Sequence, residues 1–307
     1  MRKTGHILLV VAMLFVQHLM GQHSPLTSQY LFNGLLINPA YAGSRDALAA
    51  NLTSRHQWVG LEGAPVTQFL SAHAPIARRK IGLGMIIYND RIGVSQETGV
   101  FSNYAYRVRF KKGKLSFGIG AGFTMLRSQL TTLNLQQSTD ISFSANTLNA
   151  LRPNFSTGAY YYTKDWFVGL SSPFLIINRY TPSNDGWSIS QSKGDLQPML
   201  TGGYVFKLSH DVKLKPTTLI RYRLNSGIQA DLSTNLILKE KLWIGASYRT
   251  GDAFVASLEV LPSPQWRIGY AYDMGLSRLR ASHMGSHEVM LQYEFGYRIR
   301  VKDPRFF

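Results

Sequence analysis

Ser286, His287 and Glu288 stand side by side, and a serine, a histidine and an acid are the parts of a nucleophilic hydrolase. Neighbours on an extended strand point to opposite faces, so these three cannot form a relay among themselves. A Ser–His pair with a remote acid, as in a membrane phospholipase, is the version that survives. His283 and His287 have the i, i+4 spacing that brings two imidazoles together on a helix. Gly285 lies between them at the end of a loop pattern, and the glutamate of an H-E-x-x-H site is missing, so two loop histidines are the better reading. Gly118-Ile119-Gly120-Ala121-Gly122 superficially suggests a phosphate loop, but it lies inside a strand pattern and no helix follows it. Small residues there would relieve crowding on an inner face. The chain has no cysteine, which rules out disulfides and thiolate metal sites. No catalytic residue, metal or cofactor is expected.

The elements that would position these residues are strands. Leu115, Phe117, Ile119, Ala121, Phe123 and Met125 alternate with small and polar residues, and similar alternation runs through 100–110, 242–249, 266–273 and 289–300. One face is apolar; the other mixes Arg, Asp, Glu, Gln and Gly over about 10 residues, the length that crosses a bilayer at a tilt. Only 16% of the chain is charged, against roughly 25% in soluble domains. The expected fold is all-β, a transmembrane antiparallel up-and-down barrel of about 14 strands. Strands are expected to start near Ala47, Val66, Lys80, Thr98, Lys114, Pro153, Asp165, Asp195, Lys213, Gly227, Lys241, Asp252, Gln265 and Gly285. An even count puts both barrel ends on one side, with short turns on that near side and longer loops on the far side, including long ones at 57–65, 90–97, 128–152 and 171–194.

Parity then assigns faces. Arg107, Arg109, Arg221, Arg223, Arg249, Arg267, Arg298 and Arg300 fall on the lumen side, with Asp231, Glu259, Asp273, Glu288 and Glu294. They either fill the interior as ion pairs or line an anion-selective pore. The near-side turns carry Arg78, Arg79, Lys80, Lys111, Lys112, Lys114, Lys164, Lys239 and Lys241. These are solvated turn residues or a basic ring that docks an acidic partner. The net charge of +16 becomes +14 without Arg2 and Lys3, with 31 basic against 17 acidic residues. Acidic partners or lipid phosphates suit that balance better than nucleic acid in a secreted chain.

The chain opens as a secretory signal over residues 1–21. Arg2 and Lys3 precede an apolar run over 7–15, too short for a spanning helix, and a cut near Gly21 would expose Gln22. An uncleaved inner-membrane anchor is the rival reading. Residues 22–45 hold Tyr30, Leu31, Phe32, Leu35, Leu36, Ile37 and Tyr41 among turn formers. So many apolar groups need burial, as a plug in the lumen or a periplasmic collar, and the barrel would occupy 46–307. Both termini are expected in the periplasm.

Two blocks give the chain a family resemblance. One is Asn38-Pro39-Ala40-Tyr41-Ala42-Gly43; the other runs Gln57-Trp58-Val59-Gly60-Leu61-Glu62-Gly63-Ala64-Pro65. With Gln29-Tyr30-Leu31-Phe32-Asn33, Asn89-Asp90-Arg91-Ile92-Gly93 and Gly285-Ser286-His287-Glu288 in the same order, the chain resembles the PorP/SprF family of type IX secretion system membrane proteins of Bacteroidetes. The resemblance implies an outer-membrane barrel without catalysis that serves protein export or gliding. Its implied partners are outer-membrane lipid, a periplasmic ring lipoprotein of the secretion machine, or a secreted adhesin, and no nucleic acid. Asn38, Pro39, Ala40, Tyr41, Gly43, Gln57, Trp58, Gly60, Gly63 and Pro65 become candidate partner-binding residues. A channel or transporter with a charged lumen, through Arg107, Arg249, Asp273 and Glu288, is the alternative.

Overall fold

A computed structural model describes residues 27–45, 47–76, 80–132, 151–183, 186–192, 196–223 and 227–296. In chain order the strands are β1 (Leu48–His56), β2 (Val66–Ile76), β3 (Ile81–Ile92), β4 (Ser95–Arg109), β5 (Lys114–Ser128), β6 (Leu151–Tyr162) and β7 (Trp166–Ser172). Then come β8 (Ile177–Ser183), β9 (Gly186–Ser192), β10 (Met199–Tyr204), β11 (Phe206–Lys207), β12 (Val212–Arg223), β13 (Gly227–Leu238), β14 (Leu242–Arg249), β15 (Ala253–Val260), β16 (Trp266–Gly275) and β17 (Ser286–Phe295). Each barrel strand pairs antiparallel with the next, β1 pairs with β17, and β10 pairs with β12, so the sheet closes into 14 strands. The β8–β9 hairpin stands outside it.

β11 is the end of β10 and not a further stave. Met199↔Arg221 and Phe206↔Leu214 share one register. The Tyr222 N–H donates to the Pro198 carbonyl at 3.0 Å, so the even-numbered residues of β12 turn their N–H toward β10. Pro216, opposite Tyr204, has no N–H to give, and the ladder breaks there.

The expected starts lie within four residues of the observed ones. The connection at 90–97 differs. It is a two-residue turn at Gly93 and Val94, because β3 and β4 run on past the apolar band. Polar cross-strand pairs hold that extension: Gln96 Nε2 donates to Asn89 Oδ1 at 2.6 Å, and Thr67 Oγ1 to Asp90 Oδ1 at 2.6 Å. The 171–194 stretch carries the β8–β9 hairpin, a pairing absent from the expected pattern. Arg78, Arg79, Arg298, Arg300 and the expected signal segment lie outside the described residues.

Alternation dresses the wall for lipid. On β1 Leu48 and Leu52 face out while Asn51, Thr53 and Arg55 face in; on β5 Phe117 and Ile119 face out. Aromatic pairs Tyr161–Trp166, Tyr204–Phe206 and Trp266–Tyr293 cluster at the near rim, where an amphipathic ring can span the boundary between hydrocarbon and water. No helix is long and apolar enough to cross a membrane among the described residues.

Closure and register can be tested because the chain has no cysteine of its own. Leu52 and Leu291 are direct partners across the β1–β17 seam. Leu52→Cys with Leu291→Cys should oxidise to a disulfide that shifts the denatured chain on a gel. Leu52→Cys with Val289→Cys, offset by two residues, should cross-link far less, since its Cα separation of roughly 7 Å exceeds disulfide reach. Equal cross-linking of both pairs would mean that the seam is not in this register.

Candidate functional site

The lumen is occupied by the chain's own residues 27–45. This segment runs from the far end to the near end before β1 begins. Thr27 Oγ1 donates to Glu288 Oε1 at 2.6 Å, one residue from the far end of the β1–β17 pairing. Lower down, Asn33 Nδ2 donates to Ser71 Oγ at 2.9 Å and Asn51 Oδ1 at 3.2 Å. At the near end Arg45 Nη1 meets Glu294 Oε1 at 3.1 Å. The first described residue and Phe295 therefore sit at opposite ends of the barrel.

Asn38, Pro39, Ala40, Tyr41 and Gly43 form the tightest part of this segment. Asn38 Oδ1 caps a single 3-10 turn by accepting from the Ala40 N–H at 2.9 Å, with Pro39 pre-set at its first position. The Asn38 amide also donates to the Ala159 carbonyl on β6 at 3.0 Å. Tyr41 packs edge-on against His73 and Tyr160 and accepts from Arg45 Nε at 3.1 Å. Gly43 has φ 68°, and its N–H donates to His73 Nδ1 at 3.0 Å. The Gly43 carbonyl accepts from Arg107 Nη1, whose other arm reaches the Ile81 carbonyl at 3.1 Å.

The wall makes room for that turn with glycine. A side chain at Gly82 would enter the Ala42 carbonyl, and one at Gly118 would enter the backbone of Pro39 and Ala40. Gly118 thus relieves crowding by the inner segment's backbone, a pairing that spacing along the sequence cannot reveal, while Gly120 makes room for the Ser156 and Asn103 side chains and Gly122 for Val100 and Phe101 on β4.

The far half of the lumen holds an alternating ladder of charges. Arg221 meets Asp231 at 2.8 Å, and Asp231 meets Arg249 at 3.3 Å. Arg249 reaches Asp273 at 3.4 Å, Asp273 meets Arg55 at 2.7 Å, and Arg55 meets Glu288 at 3.2 Å. All six side chains are buried. Three cations and three anions cancel, which is what burial of charge requires. Ser28 threads into the ladder: its hydroxyl donates to Asp273 at 2.7 Å and accepts from Arg55 and Arg249.

In the near half Phe32 is the pivot. Its ring lies 5.4 Å from Trp243 and 5.2 Å from the Arg267 guanidinium, and Lys215 approaches it at 5.9 Å. Arg267 is paired with Glu259 at 2.9 Å. Of the expected lumen charges, Arg107, Arg249, Asp273 and Glu288 are all inside, whereas Arg109 lies exposed beyond the near rim. Arg55, Lys215 and the Thr27–Gln29 contacts were not anticipated. Strand parity alone would have flagged Arg55, between outward Ser54 and His56.

The far-end motif lies elsewhere. The Gln57 N–H donates to the Pro65 carbonyl at 2.9 Å and closes the first loop. Gly60 and Gly63 have φ 97° and 71°. Trp58 adopts φ 48°, a costly conformation for a bulky residue. It is held by Ser286 Oγ, which accepts its N–H at 3.1 Å, and by paired bonds of Val59 with Gly285 and Met284 at 2.8 Å. Ser286 therefore faces inward, while His287 faces outward and bonds the Tyr270 hydroxyl at 2.6 Å, so the serine and histidine do not meet. His283 Nδ1 accepts from the Gly285 N–H at 2.9 Å. Among the described residues no three potential metal ligands gather. Lys111, Lys112, Lys239 and Lys241 are exposed on near-side turns, at the opposite end of the barrel from the Gln57–Pro65 loop, with Glu240 reaching back to Lys213.

Two substitutions probe this packing. Gly82→Val should lower stability by about 3 kcal/mol or more, because the obstacle is backbone that no rotamer avoids. Gly202→Ala, which meets nothing nearer than 3.7 Å, should change it by less than about 0.5 kcal/mol. Asp231→Asn should cost about 3–5 kcal/mol by stranding two buried guanidiniums. Urea midpoints of the detergent-solubilised barrel measure all three, and a tolerant Gly82→Val variant would remove the case for a tightly docked segment.

No curated protein matches the sequence. Among solved structures, the outer membrane protein Omp33 of Acinetobacter baumannii is 9% identical, with a TM-score of 0.48 over 81% of this chain and 98% of its own. A FadL homologue of Pseudomonas aeruginosa is 11% identical, with a TM-score of 0.48 over 90% and 96%. The P. putida toluene transporter TodX is 13% identical, with a TM-score of 0.46 over 85% and 93%. The sequence also matches the family described as type IX secretion system membrane protein PorP/SprF across residues 19–293, a span that takes in the inner segment and all of the barrel but the last two residues of β17, and the chain belongs to that family.

Proposed function

We propose that this outer-membrane barrel is a non-enzymatic part of the type IX secretion and gliding machinery and works by docking an acidic partner at its near end. The observation that carries the reading is the charge of that end. Lys80, Lys111, Lys112, Lys164, Lys239 and Lys241 are exposed on its turns, where Asp165, Asp211 and Glu240 are the acidic residues among the described ones. Bacterial barrels keep their short turns in the periplasm, so a periplasmic ring lipoprotein is the partner of choice. Supporting the secretion and surface attachment of an adhesin is the other role open to the family, and it would use the far end, where Gln57, Trp58, Gly60, Gly63 and Pro65 lie. Asn38 to Gly43 serve either role indirectly, as the anchor of a plug. Residues 1–21 act as the signal peptide in this scheme, and the start of β1 and the end of β17 both lie at the periplasmic end, while the inner segment brings Thr27 to the far end.

The occupied lumen argues against the channel reading. Its charges are spent on one another and on residues 27–45, which leaves few to attract passing anions. Purified barrel should therefore give no steady conductance in planar bilayers, and a sustained open state would restore the channel.

The docking role predicts a specific loss. Lys111→Glu, Lys112→Glu, Lys239→Glu and Lys241→Glu together should cut capture of envelope proteins from solubilised membranes roughly tenfold, and added salt should mimic the effect. The variant barrel should still fold, because these side chains are exposed. Unchanged capture by a folded variant would sink the basic-ring proposal. Normal export and surface adhesin in a strain lacking the chain would sink the secretion role.

A further inference from the structure

Residues 27–45 do not fill the whole lumen. A cavity of about 80 Å³ remains in the far half, between that segment and the wall of β2 to β6, with Met199 of β10 and Arg221 of β12 also on its lining. Leu35 and Ile37 form its floor, and Phe69, Ile86 and Phe101 its sides. Tyr88 and Phe101 stack at 6.2 Å, and Phe174, from the connection after β7, closes edge-on over Phe101 at 6.0 Å. Phe174 is only half-buried, so the cavity meets the far mouth there.

A packing defect among such rings would be apolar throughout. This one is not. Asn103 lines it, is 4% exposed, and its amide Nδ2 has no hydrogen-bond partner. Buried donors are almost always satisfied, and an apolar pocket with one or two convergent polar groups is the composition of a binding site. The Tyr88 hydroxyl is already engaged by Glu97 and the Arg221 guanidinium by Asp231 and Gln229; the Asn103 amide and the Tyr30 hydroxyl are the lining donors with no partner, and Asn103 lies among the rings of β2 to β4.

We propose that this cavity binds a branched aliphatic group with an oxygen acceptor beside it, the acceptor taking the Asn103 N–H. An apolar cavity of about 150 Å³ holds benzene, and roughly half that volume suits an isopropyl or isobutyl group and is tight for an aromatic ring. That chemistry is offered both by a free branched ketone and by a valine or leucine residue of a peptide that reaches in past Phe174, with its carbonyl as acceptor. The site is separate from the basic near end and does not depend on the docking role.

Saturation-transfer NMR on the full-length barrel in detergent tests it, with 3-methyl-2-butanone, N-acetyl-valine amide and 2-methylbutane as probes. Saturable binding of the ketone or the amide, with the acceptor-free hydrocarbon at least about tenfold weaker, is expected. Ketone binding points to a free ligand, and binding of the amide alone to a peptide. Asn103→Leu should erase the preference for the acceptor, and Ile86→Phe should fill the cavity and abolish binding, with urea midpoints confirming that each variant folds. Two results overturn the proposal: no saturable binding of any probe to the native barrel, or a preference for the acceptor that survives in a folded Asn103→Leu variant.

Discussion

A barrel of 14 strands encloses more space than the inward side chains of its own wall can fill, since about eight strands is the size at which side chains alone suffice. The inward face of a membrane wall is also its polar face, so the space must be closed by groups that satisfy polar and charged neighbours. Residues 27–45 meet both demands. Tyr30, Phe32, Leu35 and Tyr41 supply volume. Their backbone and the side chains of Thr27, Ser28, Asn33, Asn38 and Arg45 supply hydrogen bonds to most sides of the wall. Gly82 and Gly118, and the order of charges along the ladder, follow from that occupancy.

How the ladder is assembled explains why it resists disassembly. Five of its six members come from β12, β13, β14, β16 and β17, which lie together through consecutive hairpins, and Arg55 on β1 joins Asp273 and Glu288 only when β1 pairs with β17 and the sheet closes. Before closure each charge can keep its water. After closure any single loss leaves an opposite charge buried and unpaired, which is the expensive case. Ser28 adds the inner segment to that arrangement, so closing the wall and seating the segment are parts of one event.

Much of this was legible in the sequence, and the gaps have physical causes. Alternation located the strands and faces wherever one side meets lipid, as at Leu115–Met125 or Leu242–Arg249. It failed at 90–97, where Asn89, Gln96 and Thr98 are polar on one face and Asp90 and Glu97 on the other, because β3 and β4 have left the membrane. It also missed the β8–β9 hairpin, whose seven-residue strands carry only two large apolar or aromatic residues each, with a proline in β8. Parity put Arg107, Arg249, Asp273 and Glu288 in the lumen. It could not pair them, because partners are set by register between strands far apart in the chain. The apolar load of Tyr30 to Tyr41 announced that the segment must be buried; its seat depended on glycines on β3 and β5 that one sequence does not connect to it.

The two motif blocks therefore answer different constraints, and neither has to be a contact surface to be needed. Asn38 to Gly43 fill a gap that only a tight turn can enter. Gln57 to Pro65 hold Trp58 in a strained backbone by bonds to Gly285, Met284 and Ser286, which ties the first hairpin to the last at the far end of the β1–β17 seam. A closed barrel is most exposed to opening where its first and last strands meet, because nothing in the chain links them directly. A loop that crosses that seam above the membrane supplies the missing link. With the seam tied at one end, the lumen packed in the middle and the charge of Lys111, Lys112, Lys239 and Lys241 concentrated at the other end, the wall is left rigid. What can vary between partners is then confined to the two mouths, and the near one is where the charge lies.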